Sequence, residues 1–128
     1  MSLDLSDTLV IGVSATALFD LSEADAVFRE KYGQDKETAI REYREYMLER
    51  ESEILDPGTG MPLVRALLKL NEHEQNADSP LVEVVVMSRN SPETGVRVLR
   101  NIREMGISIT RHAFTGGEPV VDYLEAFD

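Results

Sequence analysis

The chain contains no cysteine. That excludes a disulfide framework and thiolate metal sites, and it suits a reducing, cytoplasmic setting, where we expect the protein. Long apolar runs are missing too. None approaches membrane-spanning length, and no basic stretch followed by an apolar one opens the sequence as in a signal peptide, so no membrane partner is expected. Positive charge is scarce: 13 Lys and Arg stand against 24 Asp and Glu, a formal net charge of −11. Duplex nucleic acid is therefore a poor partner, because neutralising its phosphates takes clustered basic residues. The same charge opposes a nucleotide at long range. Any phosphate site must be local, made of backbone N–H groups, a few arginines or a metal.

What is present is ordinary for a folded domain: 128 residues, 42% hydrophobic and 29% charged. We read one domain over residues 4–128. Leu9-Val10-Ile11-Gly12-Val13 is a continuous apolar run, the pattern of a parallel strand buried on both faces. Ala24 to Tyr32 reads as a helix with Val27 and Phe28 inward and Gly33 as its stop. Lys36 to Ile54 reads as an amphipathic helix carrying Ile40, Tyr43, Met47 and Ile54 on one face. Asp56 to Gly60 is a turn by composition. Pro62 then opens a helix through Leu63, Ala66, Leu67 and Leu70.

A polar loop from Asn71 to Pro80 precedes a second buried strand, Leu81 to Met87. Pro92 to about Met105 is a helix with Val98, Leu99, Ile102 and Met105 inward, ended by Gly106. Ile107, Ile109 and Ala113 mark a third strand, Gly116-Gly117 a turn, and Val120 to Phe127 a last helix. This order predicts an α/β fold: a three-layer parallel sheet with flanking helices. The mostly helical stretch of about 20–60 is a small insertion after the first strand, placed to cap the sheet's carboxyl edge.

Ligands of open α/β sheets bind beyond the carboxyl ends of the strands. Two segments lie there. Ser88-Arg89-Asn90-Ser91-Pro92 joins a buried strand to a helix N-terminus, where free N–H groups and the helix dipole favour an anion. Ser88 can donate to a phosphoryl oxygen, and Arg89 can add charge-assisted contacts. From residues alone, simple helix capping by Asn90 or Ser91 explains the segment at least as well. The other segment runs from Ser14 to Asp20, and its Ser14 and Thr16 are equally readable as phosphate ligands or as plain loop hydroxyls. His73 and His112 fit polar surface positions better than metal ligation, since their surroundings match no zinc spacing. Gly58-Thr59-Gly60 is too short for a nucleotide fingerprint.

VIGVSATALFD, a helical insert and then VVVMSRNSP resemble the layout of haloacid dehalogenase-like phosphatases. LVIGVSATALFDL, PLVEVVVMSRNSPETGVRVL and GISITRHAFTGGEPVVDYLEAF are more specifically similar to the N-terminal part of the cytosolic 5'-nucleotidase type I family. That resemblance implies Mg²⁺-dependent removal of the 5'-phosphate from nucleoside monophosphates. It also implies a phosphate position at Ser88, Arg89 and Asn90. In the phosphatase fold the first strand ends in two aspartates, one attacking phosphorus and one handling the leaving group's proton. Here Ser14 and Thr16 stand in those places, no lysine follows the third strand, and no acidic metal-binding loop is present. We therefore expect the chain alone to be inactive or weak. The alternative is a degenerate phosphatase domain that binds nucleotide or phosphate, or serves as an interaction module. Since the first strand is central in that fold, an unpaired edge is expected here, covered by self-association into a homo-oligomer.

Overall fold

The computed structural model describes residues 6–33, 35–73 and 80–127. Three parallel strands make one sheet in the order β1-β2-β3, with β1 Leu9–Val13, β2 Val82–Ser88 and β3 His112–Phe114. Every residue of β2 is buried, as befits a central strand with apolar residues on both faces. β1 is not buried on both sides as its composition suggests. It is an edge strand, and Leu9 is 59% exposed.

Between β1 and β2 come α1 Ala15–Leu18, α2 Ser22–Tyr32, α3 Lys36–Glu49, α4 Met61–Lys69 and a 3-10 turn Leu70–His73. α5 Pro92–Glu104 joins β2 to β3, and a 3-10 segment Val120–Phe127 follows. The strand order steps in one direction, so two crossovers of the same hand put α4 and α5 on one face. Their Met61, Val64, Val98 and Ile102 share a core with Val82, Val84 and Val86. On the opposite face Glu83 pairs with Arg111, which also donates to the Phe127 carbonyl at 3.0 Å. Glu83 is thus a buried charge with a partner, the condition for its being tolerated.

α2 and α3 pack on each other, and α3 packs on α5. Two polar contacts fix this hairpin. The Thr94 hydroxyl donates to the Tyr43 hydroxyl at 3.1 Å in a buried position. Asn101 accepts from the Leu55 N–H at 2.7 Å and donates to the Glu53 and Arg97 carbonyls. The turn before α4 is held as tightly. Gly58 N–H donates to the Leu18 carbonyl at 2.9 Å, and Gly60 N–H to the Ala17 carbonyl at 2.8 Å. A Cβ on Gly58 would sit 2.5 Å from the Ala17 carbonyl oxygen. The glycines of this turn therefore serve backbone approach.

Several elements depart from the sequence reading. α3 stops at Glu49, and Ile54 is exposed while Leu55 is buried, because the Leu55 N–H is drawn to Asn101. α4 buries Met61 and Val64, whereas Leu63 and Leu70 face outward. The contacts of Gly58 and Gly60 with α1 pull Met61 inward and set that rotation. β3 excludes Ile107 and Ile109. Ile107 N–H donates to the Ile102 carbonyl and Gly106 N–H to the Arg103 carbonyl, a Schellman ending of α5 with Gly106 at φ 66°. Only Val86, Met87 and Ser88 then find partners in β3, at His112, Ala113 and Phe114. Arg111 and His112 accordingly stand at the start of β3. The last helix is 3-10, with Val121, Tyr123 and Leu124 exposed; an α-helix draws most of its stability from a packed face, which these residues lack. The expected loop from Asn71 to Pro80 lies partly outside the described residues; its first three residues continue the 3-10 turn, and Asn71 bonds both backbone groups of Val82.

Candidate functional site

β1 and β2 run parallel with Val13 opposite Val86, so the residues that follow them emerge side by side. Ser14 caps α1: its Oγ accepts from the Ala17 N–H at 3.2 Å and lies 3.1 Å from the Thr16 hydroxyl. Ser88, almost fully buried, accepts from the Ala15 N–H at 3.3 Å and donates to Asn90 Oδ1. One hydrogen-bonded chain thus runs from the start of α1 through Ser88 to Asn90. β3 closes the other side. Thr115 N–H donates to the Ser88 carbonyl at 2.9 Å and Gly116 N–H to the Asn90 carbonyl at 3.1 Å. Gly116 and Gly117 have φ of 65° and 108°, the left-handed region that glycine enters freely.

Capping of α5 belongs to Ser91, whose hydroxyl accepts from the Thr94 N–H, with Pro92 in the first turn. The Asn90 side chain instead bonds Ser88 and Tyr43. Arg89 is exposed, and its Nε and Nη2 both donate to the Gly117 carbonyl, at 3.1 and 2.8 Å. All five residues singled out in the sequence, Ser14, Thr16, Ser88, Arg89 and Asn90, line one cleft of about 640 Å³.

Its opposite wall comes from the α2–α3 hairpin: Asp25 and Phe28 from α2, Ile40 and Tyr43 from α3. Spacings of three residues put each pair on one helix face. The Phe28 and Tyr43 rings meet edge to face, centroids 5.8 Å apart at 80°. The sequence places Phe28, Ile40 and Tyr43 on the apolar faces of their helices and does not single out Asp25. The detectable signal was Asp25 standing on the face otherwise given to Phe28. Burial raises the Asp25 pKa above the usual 3.8; Arg29 opposes that shift and Asp20 adds to it. Burial likewise raises the Tyr43 pKa, against the hydrogen bond from Thr94. Arg44, also on this wall, lies 3.7 Å from Glu93.

Asp20 does not join the cleft. It is exposed, and hydrogen bonds from the Ser22 hydroxyl and then from the Ser22 N–H, the latter at 2.9 Å, lower its pKa. His73, His112 and Asp122 are exposed as well. A second cleft, of about 560 Å³, lies at the amino end of the strands between Arg65, Lys69 and Ser108.

The chemistry open to the first cleft follows from its donors. Hydroxyls, an amide, a guanidinium and backbone N–H groups can bind an oxyanion. Ser14 and Thr16 bond each other, Ser88 bonds the Ala15 N–H and Asn90, and among the described residues no histidine or carboxylate is recorded on these hydroxyls. A serine without such a base is a weak nucleophile. Mg²⁺ takes an oxygen shell anchored by carboxylates. The cleft lining offers one, Asp25, and no metal-holding group of three His, Cys, Asp or Glu occurs among the described residues. These residues do not fit a magnesium centre. Among the described residues no helix is long and apolar enough to cross a membrane.

No solved structure matches the chain. Among curated proteins it is similar to cytosolic 5'-nucleotidase 1B of Homo sapiens, 27% identical over 124 residues. That alignment covers 94% of this chain and 19% of the relative, so the chain spans about a fifth of the relative's length. The model of the 5'-nucleotidase family matches residues 1–128. Matched along its whole length, the chain belongs to the 5'-nucleotidase family.

Proposed function

We propose that this chain is a nucleotide-binding part of a 5'-nucleotidase with a haloacid dehalogenase-like fold, and that its cleft receives the phosphate of a nucleoside monophosphate. The supporting observation is the chain from the Ala15 N–H through Ser88 to Asn90, which joins the carboxyl ends of two adjacent parallel strands at the cleft floor. Ser14, Thr16 and Ser88 supply hydroxyls, Asn90 an amide and Arg89 a cation at the rim. In this reading they bind and orient the phosphate while the protein at large removes it, in the cytoplasm and with Mg²⁺.

The same residues favour binding over cleavage for this chain. The hydroxyls lack a base, and the donor set does not suit Mg²⁺. A non-catalytic module that binds nucleotide or phosphate is therefore the second reading. Assay of the chain with AMP or IMP and Mg²⁺ separates them: no turnover, together with phosphate binding that Ser88→Ala weakens, is expected. Robust turnover would contradict it, and sensitivity of that turnover to Asp20→Asn would locate the nucleophile at Asp20.

We also infer self-association through β1. Its Leu9–Val13 edge is uncharged and unpaired by any strand among the described residues, whereas edges that stay single are blunted by charge or proline. A second copy can continue the sheet there. Light scattering is expected to give a dimer, reduced to monomer by Ile11→Lys; a monomer for the parent chain would exclude it.

A further inference from the structure

We propose that the wall formed by Phe28, Tyr43 and Asp25 is the nucleoside subsite, so that a nucleoside monophosphate lies with its base against α2 and α3 and its phosphate toward Ser14 and Ser88. The inference rests on the phosphate reading above and adds to it the residues that tell a nucleotide from any other phosphate ester. The cleft is two-sided: hydroxyls and an amide at the strand ends, aromatic and aliphatic side chains across from them. A ligand with one planar, weakly polar end and one anionic end matches that division. At about 640 Å³ the cleft is in the range of small-molecule sites.

The platform is preorganised. Tyr43 is buried and held by the Thr94 hydroxyl, and its ring fixes Phe28 edge to face. Phe28 itself is half-buried and lines the cleft. A ring held in position loses little freedom when a base stacks on it.

Asp25 sets the direction. It is one helical turn before Phe28, on the same face. A carboxylate only accepts hydrogen bonds; it repels a phosphate but takes ribose hydroxyls or an exocyclic amine. With a net charge of −11 the chain offers no long-range attraction for an anion. Stacking, rather than charge, therefore supplies the affinity that separates a nucleotide from inorganic phosphate.

Titration calorimetry with adenosine, AMP, ribose 5-phosphate and inorganic phosphate tests this on the parent chain, Phe28→Leu and Ser88→Ala. Phe28→Leu keeps an apolar side chain in the core and removes only the aromatic face; circular dichroism verifies its fold. It is expected to weaken adenosine and AMP by roughly tenfold, the order found for stacked bases, and to leave ribose 5-phosphate and phosphate unchanged. Ser88→Ala is expected to do the reverse, weakening the phosphate-bearing ligands and sparing adenosine. Unchanged AMP and adenosine binding in Phe28→Leu, or no adenosine binding at millimolar concentration, overturns the subsite, and a retained Ser88 effect then leaves the phosphate reading standing. Adenosine binding that depends on Phe28, with no ligand sensitive to Ser88, overturns the phosphate reading and upholds the subsite.

Discussion

The backbone N–H of Ala15 donates to the hydroxyl of Ser88 across 73 positions of sequence, at 3.3 Å. This bond joins the end of β1 to the end of β2 and lies at the floor of the cleft. Ser88 is therefore both a structural tie and a proposed ligand. Ser88→Ala leaves the buried Ala15 N–H and the side-chain Oδ1 of Asn90 without their partner, and a loss of about 1–2 kcal/mol is expected. Urea unfolding measures it. A midpoint equal to the parent's would mean that water or Ser14 replaces the bond.

Asn101→Ala is expected to be more damaging, by about 2–3 kcal/mol. Three backbone groups depend on this side chain: the Leu55 N–H and the Glu53 and Arg97 carbonyls. Its removal also frees the segment that leads from α3 to α4. The check is denaturant unfolding together with faster amide exchange at Leu55.

How much of this could be read in advance depends on the range of the contacts. β2 was legible because seven consecutive residues are buried on both faces, and α5 because Val98 and Ile102 repeat at helical spacing. The hydroxyls of the floor were legible too, since a strand followed at once by a helix places them. The α4 face was not: it is rotated by hydrogen bonds from Gly58 and Gly60 to α1, which no periodicity records. Nor was the aromatic wall. Tyr43 is held in the wall by Thr94, 51 residues away, and its spacing within α3 is the same whether its face meets core or ligand.

Two glycines are expected to respond differently to alanine. At Gly58 the new Cβ meets backbone, the Ala17 carbonyl oxygen at 2.5 Å, which cannot move without disturbing α1; a loss at the upper end of about 1–3 kcal/mol is expected. At Gly95 it meets the Phe114 ring at 2.8 Å. That ring is half-buried and can shift, and alanine regains up to about 1 kcal/mol of helix propensity, so a smaller loss is expected. Thermal unfolding of both variants tests the order; a larger loss at Gly95 would contradict it.

Asp25 gives a pH signature. Its pKa is raised in the fold, chiefly by burial. The folded state then holds the proton more tightly than the unfolded chain, so this contribution to stability is present below the unfolded value of about 3.8 and is lost as pH rises through the folded value. Asp25→Asn removes the titration. The variant is expected to gain in melting temperature relative to the parent as pH rises from 3 to 7. A constant difference across that range would show that Asp25 is not desolvated.

The cleft at the carboxyl ends of β1 and β2 is proposed to take a phosphate. Titration of the ¹⁵N-labelled chain with AMP, followed residue by residue, tests this proposal most directly. Saturable shifts are expected at Ala15, Ser88, Asn90 and Gly117, and they are expected to saturate only at higher AMP concentration in Ser88→Ala. Shifts confined to Arg65, Lys69 and Ser108 at the opposite end of the sheet, or no saturable shift at all, would contradict the proposal.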